Sequence, residues 1–310
     1  MKHIFSLDNL HLKASWVTIG SFDGVHLGHQ YLLRTLVEGA HAAKKSAVVV
    51  TFFPHPMVLL KGISKPFYLT LPEERKNILN DLGIDFLLTL DFNKRISSLT
   101  PLSFMKLMKK HIQLEHLLVG HDFVLGKDRE GNVERLEEIG EHLGYCVEMI
   151  KPITNANNRI SSSKIRDLIE LGKVQEASKL LGRWYSVDCA LLPNPGGLIG
   201  IQNQQLKLGH VPEKLLPRSG IYATLLHMDG KSHPSLTNIR SQKNEKGFKA
   251  RTFIDSFLLD PNKTQTDTIS IRMDIVKLIR QISPFESFNL DDIQTKSDLN
   301  LAYEVLKNAT

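Results

Sequence analysis

The first 150 residues alternate between two hydrophobic rhythms. Trp16–Gly20 is a short apolar run that ends in a loop. Leu32, Leu33, Leu36, Val37, Ala40 and Ala43 then recur at helical spacing. Ala47–Phe53 is β-branched and aromatic, a buried strand that Pro54 ends. Pro72–Leu82 opens on Pro-Glu-Glu, a good helix N-terminus. The alternation continues through a strand at Phe86–Leu90, a helix at Phe104–Ile112, a strand at Leu117–Gly120, a helix at Val133–Leu143 and a strand at Tyr145–Ile150. Strands that alternate with helices imply a parallel sheet covered by helices, an α/β domain. After Tyr185 short apolar runs are separated by Pro, Gly and Asn clusters, which is the texture of a β-barrel or sandwich. A terminal helix is predicted over Ser297–Leu306. The change of texture places a domain boundary near residues 184–190.

Composition narrows this picture only a little. A chain of 310 residues with 42% hydrophobic and 23% charged residues is an ordinary globular protein of about two domains. The net charge of +6 suits a polyanionic partner without choosing among nucleotides, nucleic acids and membranes. No long basic block and no aromatic–basic interleaving is present, so no nucleic-acid partner is expected. The opening MKHIFSLDNL lacks the apolar core of a signal peptide, and no stretch reaches the ~18 apolar residues of a membrane span. Cys146 and Cys189 form no CxxC or zinc spacing. Together these features predict a cytoplasmic protein without a membrane partner.

Four strings carry candidate chemistry. The first, Gly20-Ser21-Phe22-Asp23-Gly24-Val25-His26-Leu27-Gly28-His29, lies between the first strand and the first helix. Ligands of open parallel sheets bind at the carboxyl ends of the strands, where helix N-termini present free N–H groups to anions. The glycines allow close backbone approach to a phosphate, and His26 and His29 share a face if the helix has begun. Two imidazoles there can donate to phosphate oxygens that gain charge in a transition state. The second string, Arg159-Ile160-Ser161-Ser162-Ser163-Lys164-Ile165-Arg166, opens a helix predicted to run to Leu171. Its serines serve as helix caps or as pyrophosphate ligands beside the Arg166 fork. The third, Val119-Gly120-His121-Asp122-Phe123-Val124-Leu125-Gly126-Lys127 with Arg129 and Gly131, again follows a strand. The fourth, Thr51-Phe52-Phe53-Pro54-His55-Pro56, ends the second strand. Phe52, Phe53 and Phe123 suit either a flat ring ligand or the core.

In this order the four strings resemble the adenylyltransferase half of the bacterial bifunctional riboflavin kinase/FMN adenylyltransferase (FAD synthetase) family, over roughly residues 14–185. The matching patterns are GxFDGVHxGH, TFxPHP, VGxDFxxGxxRxG and an SSTxIR-type motif. Ser21 stands where relatives usually carry Asn, and Ser163 where they usually carry Thr. The resemblance implies a Rossmann-like nucleotidyltransferase domain over residues 1–185 and a riboflavin-kinase-like β-barrel with a C-terminal helix over residues 186–310. It implies transfer of the adenylyl group of ATP to FMN, giving FAD and pyrophosphate by direct displacement, with Mg2+ held mainly by phosphate oxygens. His26, His29 and Arg166 would be catalytic. Gly20, Ser21, Phe22, Asp23, Gly24, Gly28, Ser161, Ser162 and Ser163 would join them around ATP. Phe52, Pro54, His55, Asp122, Phe123, Gly126 and Arg129 would hold the flavin. No residue is expected to ligate a resident metal.

The same resemblance predicts an impaired kinase barrel. Kinase members carry GRxLGFPTANL, and the corresponding stretch here is Gly196–Leu206. Gly197 replaces the Arg, Gln202 replaces the Pro, and Asn203 and Gln205 stand at the Thr and Asn positions. The family's catalytic Glu opens a string like ETHIFDF, which aligns with Arg251–Phe257 and places Arg251 at the base position. Guanidinium cannot accept a proton. A shifted alignment puts Asp255 there instead. Three other readings stand beside this one: a fully bifunctional enzyme, a cytidylyl- or adenylyltransferase for another phosphate acceptor, and a non-catalytic flavin-binding or regulatory protein.

Overall fold

The computed structural model describes residues 1–310 apart from residues 9, 152–153, 156–157, 194–204, 243–250, 261–269, 284–292 and 308–310. The chain divides into two compact units, Met1–Lys65 with Thr70–Ser162, and Pro66–Leu69 with Ser163–Thr310.

The first unit is built from β1 (Lys2–Ile4), β2 (Ser15–Ile19), α1 (Leu27–Ala42), β3 (Ser46–Phe53), α2 (Pro56–Lys61), α3 (Pro72–Asp81), β4 (Phe86–Asp91), α4 (Lys94–Ser97), α5 (Pro101–Ile112), β5 (Leu114–Gly120), α6 (Val133–Leu143), β6 (Cys146–Ile150) and a small hairpin, β7 (Thr154–Asn155) and β8 (Asn158–Arg159). Six of its strands form one sheet in the order β1-β4-β3-β2-β5-β6. Every neighbouring pair is parallel. Both faces are therefore covered, and the strands read as near-continuous apolar runs. Val48 and Val50 of β3 face a cluster with Phe104, Met105 and Met108 of α5 and Leu136 of α6. Ala47 and Val49, one residue out of phase, face Leu33, Leu36 and Ala40 of α1 and Leu79 of α3. From β2 the chain winds outward through β3 and β4 on one side, then returns to β5 and β6 on the other. The carboxyl ends of β2 and β5 are thus the switch point where such sheets bind ligands.

The second unit holds α7 (Ser162–Glu170, whose first residue belongs to the first unit), α8 (Val174–Leu181), β9 (Tyr185–Leu191), β10 (Gln205–His210), β11 (Gly220–Met228), β12 (Lys231–Gln242), β13 (Arg251–Leu258), β14 (Ser270–Gln281) and α9 (Ile293–Lys307). Its six strands close into an antiparallel barrel in the order β10-β13-β12-β11-β14-β9. Closure removes the exposed strand edges that an open sheet leaves. A ladder of buried hydroxyls crosses three of its strands. Thr224 and Thr237 lie 2.6 Å apart, and Thr237 and Ser256 2.7 Å apart. Ala302 and Leu306 of α9 pack on Ile221, Leu225 and Leu236.

The α/β sheet, the barrel and the terminal helix match the fold class read from the sequence. Several elements go beyond it. The strand predicted at Leu117–Gly120 starts at Leu114, and the helix predicted from Arg159 to Leu171 covers Ser162–Glu170. Strand β1 and helices α2 and α8 were not predicted. Residues 196–204 of the kinase-like string lie outside the described residues.

Candidate functional site

The loop after β2 is an irregular, buried turn. Phe22 and Val25 hold φ of 45° and 38°, a left-handed conformation unfavourable for side chains of this size. Both are almost fully buried, so packing holds them in it. Gly24, at φ 83°, supplies the step between them. A hydrogen-bonded frame fixes the loop from behind. Gly24 N donates to Thr70 Oγ1 at 2.9 Å, and Thr70 N and Oγ1 donate to Asp23 Oδ1 at 2.8 and 3.2 Å. Ser162 Oγ donates to Asp23 O at 2.7 Å. Beneath the loop lies the guanidinium of Arg75, on α3 and 2% exposed. Its Nη1 donates to Ser21 O at 2.9 Å and Thr51 Oγ1 at 3.1 Å, and its Nη2 to Thr70 O at 3.2 Å.

This frame places His26 as the N-cap of α1, where Nδ1 accepts the backbone N–H of His29 at 3.2 Å. A neutral His26 therefore carries its proton on Nε2. The rings of His26 and His29 stack with centroids 3.7 Å apart and an interplanar angle of 13°. Gly28 leaves room beside the stack, since a Cβ there would crowd the His26 ring at 3.3 Å. Burial, then the neighbouring His26 and Arg75, hold the His29 pKa well below the usual histidine range. Its Nδ1 is buried and has no hydrogen-bond partner among the described residues.

The neutral His29 makes stability pH-dependent. The unfolded chain takes up this proton near pH ~6.5, and the folded chain only at a lower pH. Its contribution is fully present above pH ~6.5 and is lost as pH falls through the folded value. In denaturant titrations between pH 8 and 5, wild type should lose more stability below pH ~6.5 than His29→Phe. Parallel losses would remove His29 as the source.

A cavity of about 270 Å³ opens at the switch point. It is lined by His26, Gly28, His29 and Leu32 after β2, by Gly120, His121 and Asp122 after β5, and by Ile150, Lys151, Ile160, Ser161 and Ser162. Of the residues singled out in the sequence, the structure thus gathers His26, Gly28, His29, Asp122, Ser161 and Ser162. Gly20, Ser21, Phe22, Asp23 and Gly24 build the loop behind the cavity. Phe52 packs on the core beside Phe92 and Phe104. His55 caps α2 by accepting Met57 N at 3.1 Å, and the bond before Pro54 is cis. Phe123 packs against the core, and Gly126 and Arg129 are exposed in the following loop. None of these flavin candidates except Asp122 lines the cavity. In the second unit Ser163 is exposed, and Arg166 donates from Nε to Phe67 O at 3.0 Å, its guanidinium 3.9 Å over the Phe67 ring. Sequence reasoning missed Lys151, a cation at a strand end, and Arg75 with Thr70, whose roles depend wholly on tertiary contacts.

A family model described as FAD synthetase matches residues 8–164, and one described as riboflavin kinase matches residues 196–306. A bifunctional riboflavin kinase/FMN adenylyltransferase from Listeria monocytogenes is 30% identical over 79% of this chain and 77% of its own length. The protein of that name from Escherichia coli K12 is 28% identical over 84% and 83%. The fold is shared with the crystal structure of a macrolide-efflux protein from Streptococcus pneumoniae, at a TM-score of 0.83 and 24% identity over 99% of this chain and 98% of that one.

Proposed function

The chain belongs to the bifunctional riboflavin kinase/FMN adenylyltransferase family, and from that premise we propose how its residues make FAD from FMN and ATP. The observation that carries the reading is the stacked His26–His29 pair at the helix N-terminus, beside a cavity at the switch point of the sheet. The α-phosphate of ATP sits at the start of α1, where the helix dipole and free N–H groups favour an anion. The Nε2–H of His26 and an N–H of His29 donate to the oxygens that gain charge as the FMN phosphate attacks. His29, whose pKa burial and the neighbouring His26 and Arg75 hold low, acts as a neutral donor. Lys151, Ser161 and Arg166 serve the departing pyrophosphate. Ser162 instead steadies the loop through Asp23 O. Phe52, Pro54, His55, Asp122, Phe123, Gly126 and Arg129 are the proposed flavin side.

Magnesium enters as part of the nucleotide substrate. Asp23 Oδ1 is already engaged by Thr70. Among the described residues no three His, Cys, Asp or Glu converge on a metal position. In this reading the ion is held mainly by phosphate oxygens and water, as magnesium commonly is with nucleotides. Incubation with ATP, magnesium and FMN should convert FMN to FAD, read by chromatography. Unreacted FMN, with CTP used as the nucleotidyl donor to a different phosphate acceptor, would transfer the reading to the cytidylyltransferase class.

For the barrel we favour a weak or absent riboflavin kinase over the bifunctional reading that the relatives' names suggest. Arg251 stands at the aligned base position, and the substitute Asp255 is engaged. Arg240 Nη2 donates to Asp255 Oδ2 at 2.7 Å, so one of the carboxylate oxygens already has a partner. Riboflavin with ATP and magnesium should give FMN at less than about a hundredth of the rate of FAD formation, the scale of losing a general base. FMN accumulating at a comparable rate would establish the bifunctional reading.

A further inference from the structure

One peptide group is held at both ends by buried charged side chains. The segment Pro66–Leu69 belongs to the second unit, although the residues on either side of it in sequence belong to the first. Within the second unit Tyr68 forms a parallel bridge with Lys214. Phe67 N and Tyr68 N donate to Glu213 O at 2.9 and 3.0 Å, and Leu215 N donates to Tyr68 O at 2.9 Å. Phe67, Tyr68 and Leu69 are all buried. So is Lys214, only 1% exposed. Its Nζ donates to Leu69 O at 2.7 Å and lies 4.8 Å from the centre of the Tyr185 ring. Taking an ammonium out of water is costly unless hydrogen bonds and good geometry offset it.

The carbonyl that Lys214 engages and the N–H of Thr70 are the two ends of one peptide group. A peptide group is planar, so fixing the direction of Leu69 O also fixes that of Thr70 N–H. In the first unit that N–H donates to Asp23 Oδ1 at 2.8 Å, and Asp23 is 1% exposed. The order is ammonium, carbonyl, amide, carboxylate. Hydrogen bonds in such a chain polarise one another, so the cation at the oxygen makes the amide a stronger donor to the anion. Thr70 Oγ1 accepts in turn from Gly24 N at 2.9 Å, two residues before His26.

We infer that Lys214 is a positioning residue for adenylyl transfer, acting through the Leu69–Thr70 peptide on Asp23 and Gly24 and so on the nucleotide loop. Its effect needs no contact with either substrate. The inference rests on the reading of that loop as the ATP site.

Lys214→Met keeps much of the volume and removes the charge. The dissociation constant of ATP, read by calorimetry, and the KM for ATP should each rise at least ~10-fold, the scale of a displaced binding group, while the KM for FMN moves less than ~2-fold. A second variant removes no side chain. Two glycines inserted between Leu69 and Thr70 put the carbonyl and the N–H on different peptide groups, and should weaken ATP binding to the same degree. Adding Lys214→Met to the insertion should then cost less than ~2-fold more, since changes that break one connection do not add. A merely structural lysine would lower stability in denaturant and leave ATP affinity unchanged, which would overturn the inference. An insertion variant with normal ATP affinity, or losses that add in the combined variant, would overturn it too. If Lys214→Met does not fold, the insertion decides. Wild type that binds ATP but forms no FAD would sink the adenylyl reading alone, and ATP affinity would then decide this inference. Wild type that does not bind ATP would overturn both.

Discussion

Replacing His29 with alanine should lower FAD formation by ~10²–10³-fold while changing ATP affinity much less, because the lost donor matters most when charge builds on the phosphate. His26→Ala should cost as much in rate and, in addition, ~1 kcal/mol of stability, because His26 Nδ1 is also the N-cap of α1. The two roles are separable. Asparagine is among the best N-caps, so His26→Asn should recover the stability without recovering the rate, since its shorter amide does not place a donor where Nε2 stood. Single-turnover FAD synthesis, measured beside denaturant unfolding for the three variants, gives both quantities. Near wild-type turnover in His29→Ala would remove that ring from the mechanism.

Arg75→Met should be the most damaging change outside the cavity. The side chain removed is a nearly fully buried cation with three hydrogen bonds, to Ser21 O, Thr51 Oγ1 and Thr70 O. Methionine fills much of the volume but removes all three of these bonds, although Ser21 O keeps the Thr51 hydroxyl as a donor at 3.2 Å. A hydrogen bond to a charged group contributes ~1.5–3 kcal/mol, so a loss of at least ~3 kcal/mol is expected. The same substitution frees the loop that carries His26 and Gly28, so KM for ATP should rise at least ~10-fold, and kcat should fall with it. Arg75→Lys keeps the charge but not the fork, and should lie between. Stability and KM both unchanged in Arg75→Met would show that the guanidinium only fills space.

Much of this arrangement was legible in the chain, for definite reasons. Strands β2, β3 and β4 are covered on both faces, so their middles are almost wholly apolar, broken only by the buried threonines Thr18, Thr51 and Thr89. The loop with two histidines stood between a strand and a helix, and that placement alone put it on the ligand edge of the sheet. Strand β1 was illegible because three residues are too few to show a period. Helix α8 buries Val174, Ala177, Ser178 and Leu181, a true helical spacing, yet one of its four core positions is a serine and blurs the pattern. Arg75 was the least readable. In Pro72-Glu73-Glu74-Arg75-Lys76 it sits among charges and looks like part of a solvated helix face. Only the return of the chain through Ser21, Thr51 and Thr70 makes it internal. The flavin side is less legible for the opposite reason: Phe52 and Phe123 are aromatic beside a motif, and both are partly buried against the core of the first unit.

The position of β2 also has a consequence for synthesis on the ribosome. Its pairing with β3 is complete once residue 50 has emerged, but its other neighbour, β5, begins only at Leu114. Chains lengthen by ~5–20 residues per second, so one edge of the central strand waits roughly 5–20 s for its partner. During that interval Ser15–Ile19 offers unpaired backbone groups beside the nascent ligand loop, a surface suited to capture by a chaperone or by a second nascent chain. Slowing elongation between residues 20 and 114 should therefore lower the soluble yield more than slowing it after residue 120.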